Sequence, residues 1–272
     1  MKKLFALALA AAMTLSLAAC APKAPKDEAN RTTFAVGFDA EFPPFGYKND
    51  AGDYVGFDLS LAEEVCKRNG WELKKMPISW DSKDLELSGG NIDCIWNGFT
   101  MNGREDDYTW SEPYVDNSQV FVVPADSGIA TWEDLAGKRV AAQADSSALK
   151  ALQDEENQEN LDLAASFQEL SQPADYNTAF MDLEAGAIDA IAMDVGVASY
   201  QMNSRGADKF VILEKTLAAE QYAIGFLKGN TALRDQVQKT LDEMAADGAV
   251  AKIVEDWAKN GLSAESVTLG KK

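Results

Sequence analysis

From Thr33 onward, short β-rich runs alternate with longer stretches of helical periodicity, and after residues 120–124 the alternation starts again. Parallel neighbours need a long crossover, so this pattern predicts an α/β fold in which helices cover a parallel sheet; its repetition predicts a second lobe of like architecture. The first series reads as a strand over 33–38 and a helix from an Asp58 N-cap to about Asn69, with Leu59, Leu61, Ala62, Val65 and Cys66 as its apolar face and Gly70 at its end. A strand over 72–76, a short helix over 82–88 and a strand over 92–96 follow. The second series is a helical turn over 132–135, a strand over 139–142, a helix from Ser146 to about Gln158, a strand over 161–167, a helix over 174–185 and a strand over 188–193. A strand over about 222–227 returns the chain to the first lobe, and helices over 233–247 and 250–259 close it. Two lobes joined by two crossings enclose a cleft suited to a small ligand.

Ahead of this region, Met1, Lys2 and Lys3 precede an apolar run over 4–17 that ends in Leu17-Ala18-Ala19-Cys20. Residues 1–19 read as a secretory signal peptide, too short to span a bilayer, and the cysteine after small residues resembles a bacterial lipobox in which Cys20 carries the lipid. Residues 20–32, with Pro22, Pro25 and charged neighbours, read as a flexible tether. The expected mature chain has 272 − 19 = 253 residues, and losing Lys2 and Lys3 takes the formal charge from −19 to −21. So acidic a chain repels nucleic acid and anionic lipid, leaving the lipid anchor as its expected hold on a membrane.

The chain contains no histidine, which removes the histidine-dependent serine and cysteine triads and the commonest metal ligand. Cys66 and Cys94 fit neither a C-x-x-C motif nor a metal cluster; they read as two separately buried small hydrophobes, although an exported protein permits a disulfide. No cofactor, metal or catalytic residue is expected. The loop W-N-G-F-T-M-N-G-R-E-D at 96–106 instead places a cation, Arg104, at the end of a glycine-punctuated loop, where a small anionic group can be held.

The stretches V-G-F-D-A-E-F-P-P-F-G-Y at 36–47, G-F-D-L-S-L-A at 56–62, the Arg104 loop, W-S-E-P-Y at 110–114, D-L-A-G-K-R-V at 134–140, G-A-I-D-A-I-A-M-D at 186–194 and M-A-A-D-G-A-V-A-K-I at 244–253 occur in one order. Together they resemble the amino-acid-binding branch of the extracellular solute-binding proteins of ABC importers, which contains histidine-, glutamine- and lysine/arginine/ornithine-binding proteins. The resemblance implies a two-lobed periplasmic-binding-protein fold of type II, with parallel-sheet lobes joined by a two-crossing hinge. Residues 33–119 would form the first part of lobe 1, 120–222 lobe 2 and 223–272 the return to lobe 1.

Roles follow where positions match. Arg104 is similar to the arginine that pairs with the ligand α-carboxylate, a task suited to its planar fork of donors. Gly98 and Thr100 match positions offering backbone and hydroxyl groups to the same ligand, and Ser146 and Ser147 match the second-lobe pair that closes on the carboxylate. Asp194 matches the acid that holds the α-ammonium, Asp39 and Phe42 line the side-chain pocket, and Trp80 packs on the ligand. The sequence departs from the pattern twice: one residue is missing between Thr100 and Arg104, with Gly103 expected to absorb the change through a positive φ, and Asp145 stands where a glycine is usual. The implied activity is capture of a free amino acid by a monomeric, lipid-anchored receptor for an ABC importer permease. Acidic Asp39 favours a cationic ligand, with glutamine and cystine as alternatives. The rival is an enzyme of the same fold, a dehydratase acting on prephenate or arogenate, with Asp39 and Glu41 as acid and base.

Overall fold

The computed structural model describes residues 30–271; the signal peptide expected over 1–19 and the expected lipidation site, Cys20, lie outside the described residues. The first lobe is built on a five-stranded sheet in which strand β1 (Thr33–Phe38) lies between β5 (Glu72–Pro77) and β6 (Cys94–Ile95), both parallel to it. Helix α1 (Phe57–Asn69) crosses from a small antiparallel sheet, β2 (Glu41–Phe42), β3 (Gly46–Lys48) and β4 (Tyr54–Val55), to β5, and helix α2 (Lys83–Ser88) leads on to β6. The sequence pattern does not show that small sheet, because its strands are only two or three residues long.

Strand β7 (Thr109–Trp110) ends the first passage through lobe 1, and the long β8 (Val115–Pro124) carries the chain into the second sheet. There β9 (Arg139–Ala142) lies between β10 (Glu169–Ser171) and β11 (Ala190–Asp194), parallel to both. The helices of this lobe are α3 (Ser147–Leu152), α4 (Gln158–Ser166), α5 (Tyr176–Glu184) and α6 (Val195–Arg205). Strand β12 (Phe210–Ile212) pairs with the far end of β8, and β13 (Ala218–Tyr222) runs antiparallel along its near end, from Val115↔Tyr222 to Gln119↔Ala218. Strand β14 (Gly225–Phe226) then joins the first sheet between β6 and β7, and α7 (Thr231–Ala246) and α8 (Ala249–Ala258) pack back on lobe 1. The parallel sheets expected from the pattern are therefore parallel only at β5-β1-β6 and β10-β9-β11; the crossing and return strands make both sheets mixed.

Three local assignments differ from the sequence reading. Residues 161–166 belong to helix α4, not to a strand, with Phe167 as its C-cap, and the helix expected over 146–158 stops at Leu152. The alternation in Leu161-Asp162-Leu163 suits either structure, and Asn157 decides by accepting a hydrogen bond from the Asn160 amide as a helix cap. Helix α6 has no counterpart in the reading, since Gly196, two valines and two serines weaken its helical signal. Asp58 is no N-cap: Gly56 holds that place, and Asp58 sits in the first turn, fully buried, accepting from the Gly98 amide at 2.6 Å and the Tyr114 hydroxyl at 2.7 Å.

The lobes meet through aromatic contacts. Phe42 lies 6.0 Å from Tyr176 of lobe 2, and Phe45 meets Tyr222 edge-on at 5.2 Å, so one apolar cluster continues from β1 and α1 through the crossing strands to α5 and β11. Cys66 and Cys94 are buried free thiols, and burial pushes the Cys66 thiol up to about 12.

Candidate functional site

Loop 100–104 is held against the crossing strands before any ligand is considered. Thr100 forms a bridge with Tyr222, the Met101 amide donates to the Gln221 carbonyl at 3.0 Å, and the Gln221 amide donates to Asn102 Oδ1 at 2.7 Å. Gly103 has a φ of 71°, which only glycine adopts readily, and this turn leads directly into Arg104. The Trp110 indole N–H donates to the Arg104 carbonyl at 3.0 Å. The guanidinium lies 5.4 Å from the Phe99 ring centre, and Nη1 donates to the Thr100 carbonyl and to Ser147 Oγ, both at 3.1 Å. One side chain of lobe 1 thus reaches lobe 2.

The facing surface is the start of α3. Ser146 is its N-cap, its Oγ accepting from the Leu149 amide at 3.1 Å, so Ser147 occupies the first helical position with its hydroxyl toward Arg104. Asp145, just before the cap, has a φ of 57° and pairs across the cleft with Lys83, which is only 1 % exposed. Lys150 Nζ donates to the Gly103 carbonyl, also across the cleft. Between these surfaces lies a cavity of about 810 Å³ lined by Thr100, Arg104, Ser146, Ser147, Lys83, Lys150 and Glu220, among others.

Asp194 ends β11 directly before α6. Its Oδ1 accepts from Tyr222 at 2.5 Å, Gln119 at 2.7 Å and Asn117 at 2.9 Å, and its Oδ2 accepts from Tyr176 at 3.3 Å. Glu220 is a second acid in the same place, its Oε1 accepting from Asn117 at 2.6 Å and Gln119 at 2.7 Å. Both carboxyls are pushed up, first of all by burial, and Glu220 further by the charge of Asp194. Of the two, Glu220 lines the cavity and Asp194 lies behind it.

The expected site residues therefore divide. Thr100, Arg104, Ser146 and Ser147 converge on the cavity. Asp194 belongs to the network at its back. Gly98 gives its N–H to Asp58, and its φ of 55° lets Phe42 and Tyr222 pack over it: a Cβ there would lie 2.8 and 2.9 Å from their rings. Phe42 packs between Gly98 and Tyr176. Trp80 stands edge-on to Phe99 at 5.5 Å, with Lys83 Nζ 5.2 Å from its ring centre, so Lys83, not the indole, faces the cavity. Asp39 is 6 % exposed; its Oδ1 accepts from the Glu41 amide at 2.8 Å and its Oδ2 from Gln143 of lobe 2 at 2.6 Å. Burial pushes the Asp39 carboxyl up to about 6, against the pull of these two donors.

Sequence reasoning missed Glu220, Asn117, Gln119, Tyr176 and Tyr222. The signal in A-A-E-Q-Y was the alternation that puts Glu220 and Tyr222 on one buried face of β13.

The sequence matches the bacterial extracellular solute-binding proteins, family 3, over residues 34–260. It is 28% identical over 230 residues to the L-cystine-binding protein TcyJ of Escherichia coli, covering 84% of this chain and 83% of that one. It is 27% identical over 260 residues to the arginine-binding extracellular protein ArtP of Bacillus subtilis, covering 94% and 98%. The fold superposes on the crystal structure of an ABC uptake transporter substrate-binding protein from Streptococcus pneumoniae with bound histidine, with a TM-score of 0.79, 30% identity and coverage of 85% of this chain and 94% of that one. By sequence and by fold, the chain belongs to the bacterial extracellular solute-binding proteins of family 3, among amino-acid-binding relatives of ABC transporters.

Proposed function

We propose that this protein is a monomeric receptor, lipid-anchored through Cys20 outside the cytoplasmic membrane, that captures one free amino acid between lobes 33–119/223–272 and 120–222 and delivers it to an ABC importer permease. The observation that carries this reading is the meeting of opposite charges around one cavity: Arg104, Ser146 and Ser147 line it together with Glu220, which the Asp194 network backs. An α-amino acid presents a carboxylate and an ammonium on one shared carbon, and this arrangement offers each a partner. Closure supplies part of the site, because Ser147 and Asp145 approach Arg104 and Lys83 only when the lobes meet.

A cationic side chain is the favoured ligand. Asp84, Asp107, Asp145, Asp154, Glu155, Glu156 and Glu220 line the cavity against Lys83, Arg104 and Lys150, an excess of four acids (7 − 3). Asp39 contributes less directly than the sequence suggested, since both of its oxygens already accept hydrogen bonds. Glutamine remains a weaker reading, as the acid excess has nothing to neutralise in a neutral amide. Cystine is the second reading, favoured by the likeness to TcyJ and by Lys83 and Lys150 as partners for a second carboxylate. The same occupied oxygens argue against Asp39 as the acid or base of a dehydratase.

A thermal-shift panel over the twenty amino acids, ornithine and cystine tests the reading, because a ligand that binds only the folded state raises its melting temperature. Arginine, lysine or ornithine should give the largest shift. A flat panel, together with product formed from prephenate, would replace the receptor with the enzyme.

A further inference from the structure

Two buried acids at one end of a cavity is one more than a single ammonium needs. Asp194 Oδ1 and Glu220 Oε1 share both of their amide donors, Asn117 Nδ2 and Gln119 Nε2, so the two carboxyl groups stand side by side. Glu220 is 6 % exposed and Asp194 4 %. The same Gln119 side chain carries an Oε1 that is buried and has no hydrogen-bond partner among the described residues. The cluster therefore holds three acceptor groups, two carboxylates and an amide oxygen, where an ammonium brings three N–H donors.

We propose that Glu220 is a second ammonium-binding residue, and that the Asp194–Glu220 pair holds one shared proton that is released to solvent when the ligand's α-ammonium takes its place. The proposal rests on the receptor reading and adds to it a specific residue and a proton. Two adjacent buried carboxyls cannot both ionise cheaply, so one proton bridges the pair while it faces only neutral donors. Burial raises both groups, and the charge of Asp194 raises Glu220 further, which agrees with that state. The ammonium arrives already protonated and remains so; its single positive charge replaces that of the shared proton, which leaves to solvent, so the cluster stays at a net −1 (−2 + 1). No bond other than O–H is broken.

The groups facing the pair do not supply this proton. From β8 come the neutral amides Asn117 and Gln119, and from the 96–106 loop the Thr100 hydroxyl. From α5 and β13 come the Tyr176 and Tyr222 hydroxyls, both held well above the ordinary tyrosine range by burial. Arg104, Lys83, Lys150 and Asp145 line the cavity beyond them. Asp39 also titrates near neutrality, but it sits against Gln143 and Ala174 rather than this pair.

The test is calorimetric titration of the full mature protein with L-arginine, L-lysine, L-histidine, L-glutamine and L-cystine, between about pH 5.5 and 8, in phosphate and in Tris. Buffers of different ionisation enthalpy count the protons exchanged. For whichever amino acid binds, the proposal expects release of about one proton near pH 6 and a dissociation constant that falls up to tenfold per pH unit as pH rises toward the pair's own titration. Glu220→Gln should abolish both the release and the slope, whereas Asp39→Asn should leave the release in place. Binding with no proton exchange, or an unchanged slope in Glu220→Gln, overturns the proposal while the receptor reading stands. Failure of all five ligands at every pH overturns both.

Discussion

Arginine rather than lysine at position 104 matters because Nη1 alone already makes two hydrogen bonds, to Thr100 and Ser147, and leaves the rest of the fork for an anion. Lysine keeps the charge and loses the planar, two-pronged geometry. Arg104→Lys should therefore weaken every amino-acid ligand by a similar factor, on the order of 2 kcal/mol, without changing their rank, because the α-carboxylate is common to all of them. Titration of three or more ligands against the variant checks this; a reordered ranking would place Arg104 at the side-chain end of the ligand. The place of Arg104 at the cavity was open to sequence reasoning because a glycine-rich loop, a cation and W-S-E-P-Y lie together in one short stretch. Glu220 was not, because its partners Asn117, Gln119 and Asp194 come from two other strands and only the paired register of β8, β11 and β13 brings them to one point.

Helix α3 is the element on which closure turns. Its N-terminus presents Ser146 and Ser147, and the Asp145 that precedes it bridges to buried Lys83, the first residue of α2. Asp145 takes a left-handed φ that favours glycine, a conformation costing a non-glycine residue about 1 kcal/mol or more. Its carboxylate gives a reason to keep it there, since a glycine would remove the contact between lobes. Asp145→Asn retains a residue tolerant of that backbone and removes the charge, and Lys83→Met retains the packing against Trp80. Each should speed ligand dissociation several-fold and change association less, because the bond forms after capture, and the double variant should be no faster than either single one. Stopped-flow release measurements check this, and additive effects in the double variant would show that the two residues act separately. The elements most legible in the sequence are the ones with clear apolar patterns: β1 and β9 stand at their expected places, and α1 ends at the expected Asn69 but starts two residues early. The two-residue strands, α4 and α6 were not legible, because their placement depends on caps and on sheet partners far away in sequence.

Taken whole, the molecule keeps several carboxyls away from water, and its stability should register this as pH changes. Asp58 is the clearest case: burial pushes it up to about 7, although the Gly98 amide and the Tyr114 hydroxyl pull the other way. Its other oxygen, Oδ1, is buried without a hydrogen-bond partner among the described residues. An unfolded aspartate titrates near about 3.9, so the folded state holds this proton more tightly. The resulting stability is fully present below about pH 4, declines as pH rises and is lost as pH passes about 7. Asp58→Asn, which cannot ionise, should flatten that decline by a few kcal/mol in urea melts of the ligand-free protein between about pH 4 and 8. An identical pH profile in the variant would mean that Asp58 is ionised in the folded state. The central claim, capture of a zwitterion between two lobes by Arg104 on one side and the Asp194–Glu220 acids on the other, is tested most directly by calorimetry of the best-binding amino acid beside its own α-carboxamide. The amide keeps the ammonium and side chain but removes the anion that Arg104 would hold. The account predicts at least a hundredfold weaker binding of the amide, about 2.7 kcal/mol, and equal affinity for the two would contradict it.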